Sequence, residues 1–366
     1  MFSACRVLIQ RDMLRNPRYI LTYQLSVLFT GRGERLKIFR FCTLSFLVCM
    51  ACGALFAQTS SNFAPVNLTV AGSASSAAPA IPDSISDLHG STLSSDGTCL
   101  FYRYWIPSGD ENPEFIVLLL HGIGLHSGRY VTTAEELNKS GIAVYAVDTR
   151  GHGLSCGKRG FIPTIAKENR DISAMLATIH EAHPNAKVFL MAESMGGVFA
   201  LNYALTNPPD ISGMILMSPV FKLARAQYWH WGALRFFVDY AFRPNAPVLD
   251  LSPRMKNESG KISAQKISPQ PDDALAYTRV SINYLMGIHK AGIHWQTKAP
   301  QVHVATLVME GEHDPIAKPG SVQQLFSLLA SQDKEFDLCP DVMHSLLGNS
   351  HSPQILHGVS AWIAEH

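Results

Sequence analysis

Short apolar runs alternate with stretches of helical period from about residue 91 to the C-terminus. Phe115-Ile116-Val117-Leu118-Leu119-Leu120 is a continuous apolar run, the pattern of a strand buried on both faces. Residues 142–147, 188–193 and 211–217 are further strand candidates, and an opening hairpin, 91–94 with 98–105, turns at Ser95-Asp96-Gly97. Between the strands lie helical segments, Thr132 to Ser140 and Ile165 to His183. The second carries Ile172, Met175, Leu176 and Ile179, one apolar stripe that packs on a sheet. Such alternation predicts an α/β domain with a mostly parallel sheet covered by helices. After Pro219 the pattern breaks. Lys222 to Phe242 reads as an aromatic-rich helix, a Pro- and charge-rich stretch runs to about Asp273, and a helix is expected over Ala274 to Ala291. The sheet resumes near Val302 with strands at 304–309 and 335–339 around a helix from Ser321 to Gln332.

At one strand-to-helix junction stands Ala192-Glu193-Ser194-Met195-Gly196-Gly197. A serine among very small residues between a strand and a helix is the pattern of a nucleophile elbow, which lifts the hydroxyl above the sheet. Small residues at 192 and 196 let the two backbones approach. Ser194 is therefore the candidate nucleophile. A serine hydroxyl needs a base to take its proton, and the imidazole needs a carboxylate to fix its tautomer. Downstream of Ser194, Asp314 follows the strand at 304–309 and His344 follows the strand at 335–339, the chain order Ser, Asp, His that this elbow uses. Glu310, Glu312 and Asp341 compete for the acid, and His313, His351 and His357 for the base. The run 115–120 ends in His121-Gly122-Ile123-Gly124, where glycines let the backbone turn an N–H inward. The backbone N–H groups of Ile123 and Met195 are the expected oxyanion-hole donors.

His121 to Tyr130, Asp148-Thr149-Arg150-Gly151-His152-Gly153-Leu154-Ser155, the elbow, the Gly311 to Asp314 turn and His344 together resemble the monoacylglycerol lipases and bacterial lysophospholipases of the α/β-hydrolase superfamily. The resemblance runs from about residue 89 to the C-terminus; Ala192 stands where the strict elbow has glycine, and the segment after the elbow half diverges. It implies the α/β-hydrolase fold with a helical cap insertion at about 220–300, in which Tyr228 to Tyr240 suits an apolar acyl chain. It also implies a serine hydrolase that cleaves carboxylic esters of monoacylglycerol or lysophospholipid type through an acyl-enzyme, with a small lipid ester as partner. Other acyl classes remain open on the fold alone, a thioesterase or a peptidase, as does a non-catalytic lipid- or partner-binding protein.

Ahead of this domain, Arg32, Arg35, Lys37 and Arg40 precede an uncharged run from Phe41 to Ala57. Basic flank and apolar stretch predict that residues 1–58 are a targeting or anchor segment, giving an exported or membrane-anchored protein rather than a cytoplasmic one. Residues 59–88, rich in Ser, Ala and Pro, read as a linker to the domain at 89–366. A formal charge of +1 gives no electrostatic case for nucleic acid. Of seven cysteines only Cys99, Cys156 and Cys339 lie in the domain, with no CxxC, so neither a disulfide framework nor a zinc site is expected. No metal and no cofactor is expected.

Overall fold

The computed structural model describes residues 6–11, 23–28, 39–40, 88–161, 164–205, 210–221, 242–250 and 273–366. The chain divides into two units, Met1–Gly72 and Ser73–His366. In the first, β1 (Arg6–Arg11), β2 (Tyr23–Leu28) and β3 (Phe39–Arg40) form an antiparallel sheet. The apolar run 41–57, the linker up to residue 87 and the aromatic segment Tyr228 to Tyr240 lie outside the described residues. Among the described residues no helix is long and apolar enough to cross a membrane.

The second unit is organised by an eight-stranded sheet. In chain order its strands are β4 (His89–Leu93), β5 (Cys99–Trp105), β6 (Phe115–Leu120), β7 (Ile142–Val147), β8 (Lys187–Glu193), β9 (Gly213–Met217), β12 (Ala305–Gly311) and β13 (Lys334–Cys339). A separate antiparallel pair, β10 (Leu249–Asp250) with β11 (Arg279–Val280), lies in the insertion. The spatial order is β13-β12-β9-β8-β6-β7-β5-β4. The six strands from β13 to β7 run parallel, and only the β4–β5 hairpin is antiparallel.

The apolar runs at the centre of this sheet have the cause expected of them. Ile116, Leu118 and Leu120 of β6 face one core, and Val117 and Leu119 face the other. The first core is closed by α2 (Ile165–Ala182), α3 (Met195–Tyr203), α4 (Ile282–Gly292) and α6 (Ser321–Leu328), which follows the short α5 (Trp295–Lys298). The second is closed by α1 (Val131–Asn138) and the C-terminal α7 (Ser352–Glu365). Each fully buried Leu or Ile contributes about 1.5–3 kcal/mol. Alternation of strand and helix thus yields the doubly covered, mostly parallel sheet that the pattern predicts.

Three expectations are corrected. The helix expected over Ala274 to Ala291 begins only at Ile282. Asp273 first turns the chain by accepting from the N–H of Leu275 (3.1 Å) and Ala276 (3.2 Å), Arg279–Val280 then pairs as a strand, and the Ser281 hydroxyl caps α4 by accepting from Tyr284 N–H at 3.0 Å. The helix expected over Ser321 to Gln332 stops at Leu328, where Lys334 Nζ donates to the carbonyls of Phe326 (3.1 Å) and Leu329 (2.6 Å). Finally, Cys99 and Cys156 form a disulfide, with Cα atoms 5.2 Å apart. Cys156 N–H donates to Cys99 O at 2.9 Å, so the loop after β7 is laid along the start of β5. A separation of 57 residues carries no sign of that approach.

Candidate active site

Ser194 sits where β8 becomes α3, with φ 55° and ψ −110°. A non-glycine residue with positive φ costs on the order of 1–3 kcal/mol and persists only where its surroundings hold it. Here they do. Ser194 N–H donates to Met217 O of β9 at 2.9 Å, and its carbonyl accepts from Gly197 (3.1 Å) and Val220 (3.3 Å). Gly196 packs so tightly under β6 that a Cβ there would lie 2.5 Å from Leu120 O. One at Gly197 would lie 2.7 Å from Pro219 Cβ. Ala192 is fully buried in β8.

The two other predicted side chains meet the serine. His344 Nε2 lies 2.9 Å from Ser194 Oγ, and His344 Nδ1 lies 2.8 Å from Asp314 Oδ2. With Nδ1–H donating to Asp314, Nε2 is placed to accept the serine proton. Asp314 is fixed from behind by the N–H groups of Ile316 (2.7 Å) and Ala317 (3.0 Å), which donate to Oδ1. Burial pushes the Asp314 carboxyl up, but His344 and these two amides together hold it below the usual carboxylate range.

The rival residues fall elsewhere. Glu312, His313 and Asp341 are exposed on the rim, close enough together to share an ion, and His313 Nε2 is 3.9 Å from Asp341 Oδ1. His351 is half-buried and His357 exposed on the C-terminal helix side. Glu310 stays near the reacting groups. Burial, then the charge of Asp314, push its carboxyl up to about 7 against the pull of His344.

The loop after β6 passes directly over the nucleophile: a Cβ on Gly122 would be 3.6 Å from Ser194 Cβ. The turn closes with Leu125 N–H donating to Gly122 O at 3.3 Å, and Gly124 takes φ +73°. A side chain there would run into the Tyr277 carbonyl. Ile123 is half-buried at the turn, and Met195 is the first residue of α3, whose leading N–H groups have no partner within the helix. Ile123 thus follows the glycine that packs on Ser194, and Met195 follows Ser194 in the chain.

Below this loop the second sequence signature acts as scaffold. The buried Asp148 accepts from Ser127 N–H (2.6 Å) and Leu154 N–H (2.7 Å), and a Cβ on Gly153 would collide with its carboxylate. His121 holds the neighbouring turn, with Nδ1 2.7 Å from Gly122 O and Nε2 accepting from Thr149 N–H at 3.1 Å. Burial pushes His121 down to about 4, so it stays neutral. The imidazole of His152, also pushed down by burial, meets the hydroxyls of Tyr277 (2.7 Å) and Tyr284 (3.0 Å) from the second half of the insertion. Asp273 of the same segment pairs with His126 Nε2 at 3.0 Å.

Sequence reasoning missed one group of residues. Glu193, inside the elbow, is buried and bonded by Tyr130 and Ser345. Its place beside Ser194 was visible, but partners 63 and 152 positions away leave no mark in the local pattern.

Known proteins agree with this architecture. The chain is 25% identical over 276 residues to the monoacylglycerol lipase of Mycolicibacterium smegmatis, covering 74% of this chain and 94% of that one. It is 27% identical over 279 residues to the monoglyceride lipase of Rattus norvegicus, covering 74% and 89%. Among solved structures, the monoacylglycerol lipase of Paleococcus ferrophilus superposes with a TM-score of 0.56 at 24% identity, covering 73% of this chain and 99% of that one. A soluble variant of the Saccharomyces cerevisiae monoglyceride lipase gives 0.62 at 18%, covering 78% and 98%. At such identities the superpositions speak for the α/β-hydrolase fold. Residues 111–351, well over half of the chain, match the family described as serine aminopeptidase, S33. The chain belongs to that family of α/β-hydrolases.

Proposed function

We propose that Ser194, His344 and Asp314 work as a catalytic triad that cleaves carboxylic esters of the monoacylglycerol or lysophospholipid type. The protein is a serine carboxylic-ester hydrolase by its family and its relatives. The observation that carries the triad is the continuous hydrogen-bonded chain from Ser194 Oγ through His344 to Asp314 at a strained elbow. Ser194 Oγ attacks the ester carbonyl while His344 Nε2 takes its proton. The carbonyl oxygen becomes an oxyanion facing the N–H groups of Ile123 and Met195. His344 returns the proton to the leaving alcohol, and water then cleaves the acyl-serine by the same path reversed. The lipid substrate class is supported by the relatives named as monoglyceride lipases and by the motif resemblance.

A fluorophosphonate probe tests the nucleophile: it labels Ser194, and Ser194→Ala removes both labelling and turnover. Label on another residue of that variant overturns the assignment. A panel of monoacylglycerols, lysophospholipids, acyl thioesters and aminoacyl amides tests the substrate class. Preference for amides or thioesters over glycerol esters moves the protein to a different acyl class.

The same reading extends to location. Export or anchoring is supported by the apolar run 41–57 and by the Cys99–Cys156 disulfide, since such bonds persist in oxidising compartments. Membrane association would rest on that run. Alkylation of the native protein, fractionated from cells, reads both at once. Free Cys99 and Cys156 thiols in a soluble cytoplasmic fraction would sink the proposal.

A further inference from the structure

Three loops must keep register for acyl transfer: the elbow with Ser194, the oxyanion loop with Ile123 and the histidine loop with His344. One buried side chain touches all three. Glu193 ends β8 immediately before the nucleophile and is 3% exposed. Its Oε2 accepts from the Tyr130 hydroxyl at 2.7 Å, and its Oε1 accepts from the Ser345 hydroxyl at 2.6 Å. Tyr130 itself is fully buried, and its oxygen accepts from Gly122 N–H at 3.4 Å, next to the Ile123 amide. Having taken that proton's contact, the Tyr130 hydroxyl directs its own hydrogen to Glu193. Ser345 adjoins His344 in the chain, and Asn349 Nδ2 donates to its carbonyl at 3.0 Å. The bonded chain from Ser194 through His344 to Asp314 does not pass through Tyr130 or Ser345, and the mechanism above makes no use of this network.

A carboxyl in this place is costly. Removing one from water costs several kcal/mol unless its oxygens are matched. An apolar or amide residue would fill the same volume without that cost, so the charge needs a reason. His344 supplies one, because its imidazole becomes a cation during each acyl transfer. We propose that Glu193 is a positioning residue that clamps the oxyanion loop and the histidine loop around Ser194 and, by its negative charge, stabilises the imidazolium of His344. This rests on the triad reading.

The titratable groups that face His344 include Asp314, Glu310 from the end of β12, and Glu193 from β8; Glu193 faces Tyr130, and Arg129 acts on Tyr130. Burial is the largest influence and holds the Glu193 carboxyl above its ordinary value, against the pull of Ser345, Tyr130 and the charge of His344; the hydroxyl donated to each of its two oxygens favours the anion. Asp314 bonds the imidazole directly and sets its tautomer, whereas Glu193 acts at a distance through field and loop placement. Its contribution is accordingly the smaller one.

The test is Glu193→Gln in the full chain, assayed on a monoacylglycerol ester with active sites counted by fluorophosphonate titration. The amide keeps the shape and one acceptor but loses the charge. The expected result is a fall in kcat of about tenfold with KM within about twofold, because the group acts on the transition state rather than on binding. The acid limb of the kcat/KM profile moves to lower pH: without the nearby anion, His344 loses its proton more readily, and the base form appears earlier as pH rises. Glu193→Asp, which restores charge with a shorter reach, returns the limb towards its original position. Tyr130→Phe and Ser345→Ala each remove one donor and are expected to cost about threefold in kcat, with no further loss when combined with Glu193→Gln. These two variants carry the test by themselves if Glu193→Gln does not fold. An unchanged kcat and an unmoved acid limb in Glu193→Gln, or full additivity of the three substitutions, overturns the proposal. Failure of the triad reading looks different: Ser194→Ala would keep its turnover while these variants were irrelevant to it.

Discussion

The centre of the sheet and its β12–β13 edge supply the two halves of the catalytic chain by opposite means. At the centre, Ser194 is held by backbone. Strands β6 and β9 flank β8, Leu120 presses on Gly196, and Met217 bonds the serine amide. At the edge, β13 has a neighbour on one side only among the described residues and is half exposed along its length. Beyond it, Asp341 takes φ 57° on an exposed turn, and His344 is reached through side-chain bonds to Asp314 and Ser194. The nucleophile is thus fixed by backbone packed against its neighbours, whereas the base stands on a loop anchored by the buried Val342, Leu346 and Leu347 and is aimed by side-chain bonds. A serine needs an exact perch. A histidine must move a proton between two partners, and a hydrogen-bonded loop suits that work.

The largest effects come from cutting the bonded chain itself. His344→Ala is expected to lower kcat by about four or more orders of magnitude, since Ser194 loses its base. Asp314→Asn costs up to about 10⁴, because the amide presents the wrong hydrogen-bonding partner to Nδ1. Glu312→Gln and Asp341→Asn, on the exposed rim, stay within about twofold of the parent enzyme. Steady-state kinetics on a soluble ester checks all four. Loss of activity in either rim variant with Asp314→Asn fully active would mean that the edge is organised around a different acid.

Next come the glycines, which compare the two regions on one scale of stability. Gly196→Ala puts a methyl 2.5 Å from a backbone oxygen that has no room to move, and is expected to cost about 2–4 kcal/mol in chemical denaturation. Gly320→Ala, at the N-terminus of α6 with φ +73° and open space around it, is expected to cost about 1 kcal/mol through backbone strain alone. Equal costs at the two sites would mean that the close approach of Gly196 to Leu120 adds nothing beyond backbone strain.

The same contrast decides what the sequence could reveal. Strands β6 and β7 were legible to the residue, because burial on both faces writes an unbroken apolar run. The elbow was legible because a tight turn demands small residues at fixed spacing. Asp314 and His344 could be picked out by chain order, yet nothing local separated Asp314 from Glu310 or Glu312. The choice is made by the amides of Ile316 and Ala317 behind it. What stayed hidden was tertiary in origin. Lys334 ends α6 early from the next strand, the turn at Asp273 delays α4, and Cys156 meets Cys99 across 57 residues. Each depends on where another segment of chain arrives, and periodicity holds no record of that.

The smallest effect concerns Glu310, a half-buried carboxyl of β12 near the reacting groups. Burial and the neighbouring Asp314 push it up to about 7 in the folded protein, whereas an unfolded chain would release its proton near the ordinary value of 4.5. Between those two pH values the folded state binds the proton that the unfolded state has lost, so stability falls as pH rises through the window. Below pH 4.5 both states are protonated and the penalty vanishes; above about 7 it is fully present. Glu310→Gln removes the titrating group. It is expected to raise stability at pH 8 by about 1 kcal/mol, a figure reduced for the half-exposed position of the side chain, and to leave stability near pH 4 unchanged. Melting temperatures of both proteins across pH 4 to 8 read this directly. Curves that run parallel over the whole range would show that Glu310 ionises freely, and the edge would then carry no charge strain of its own.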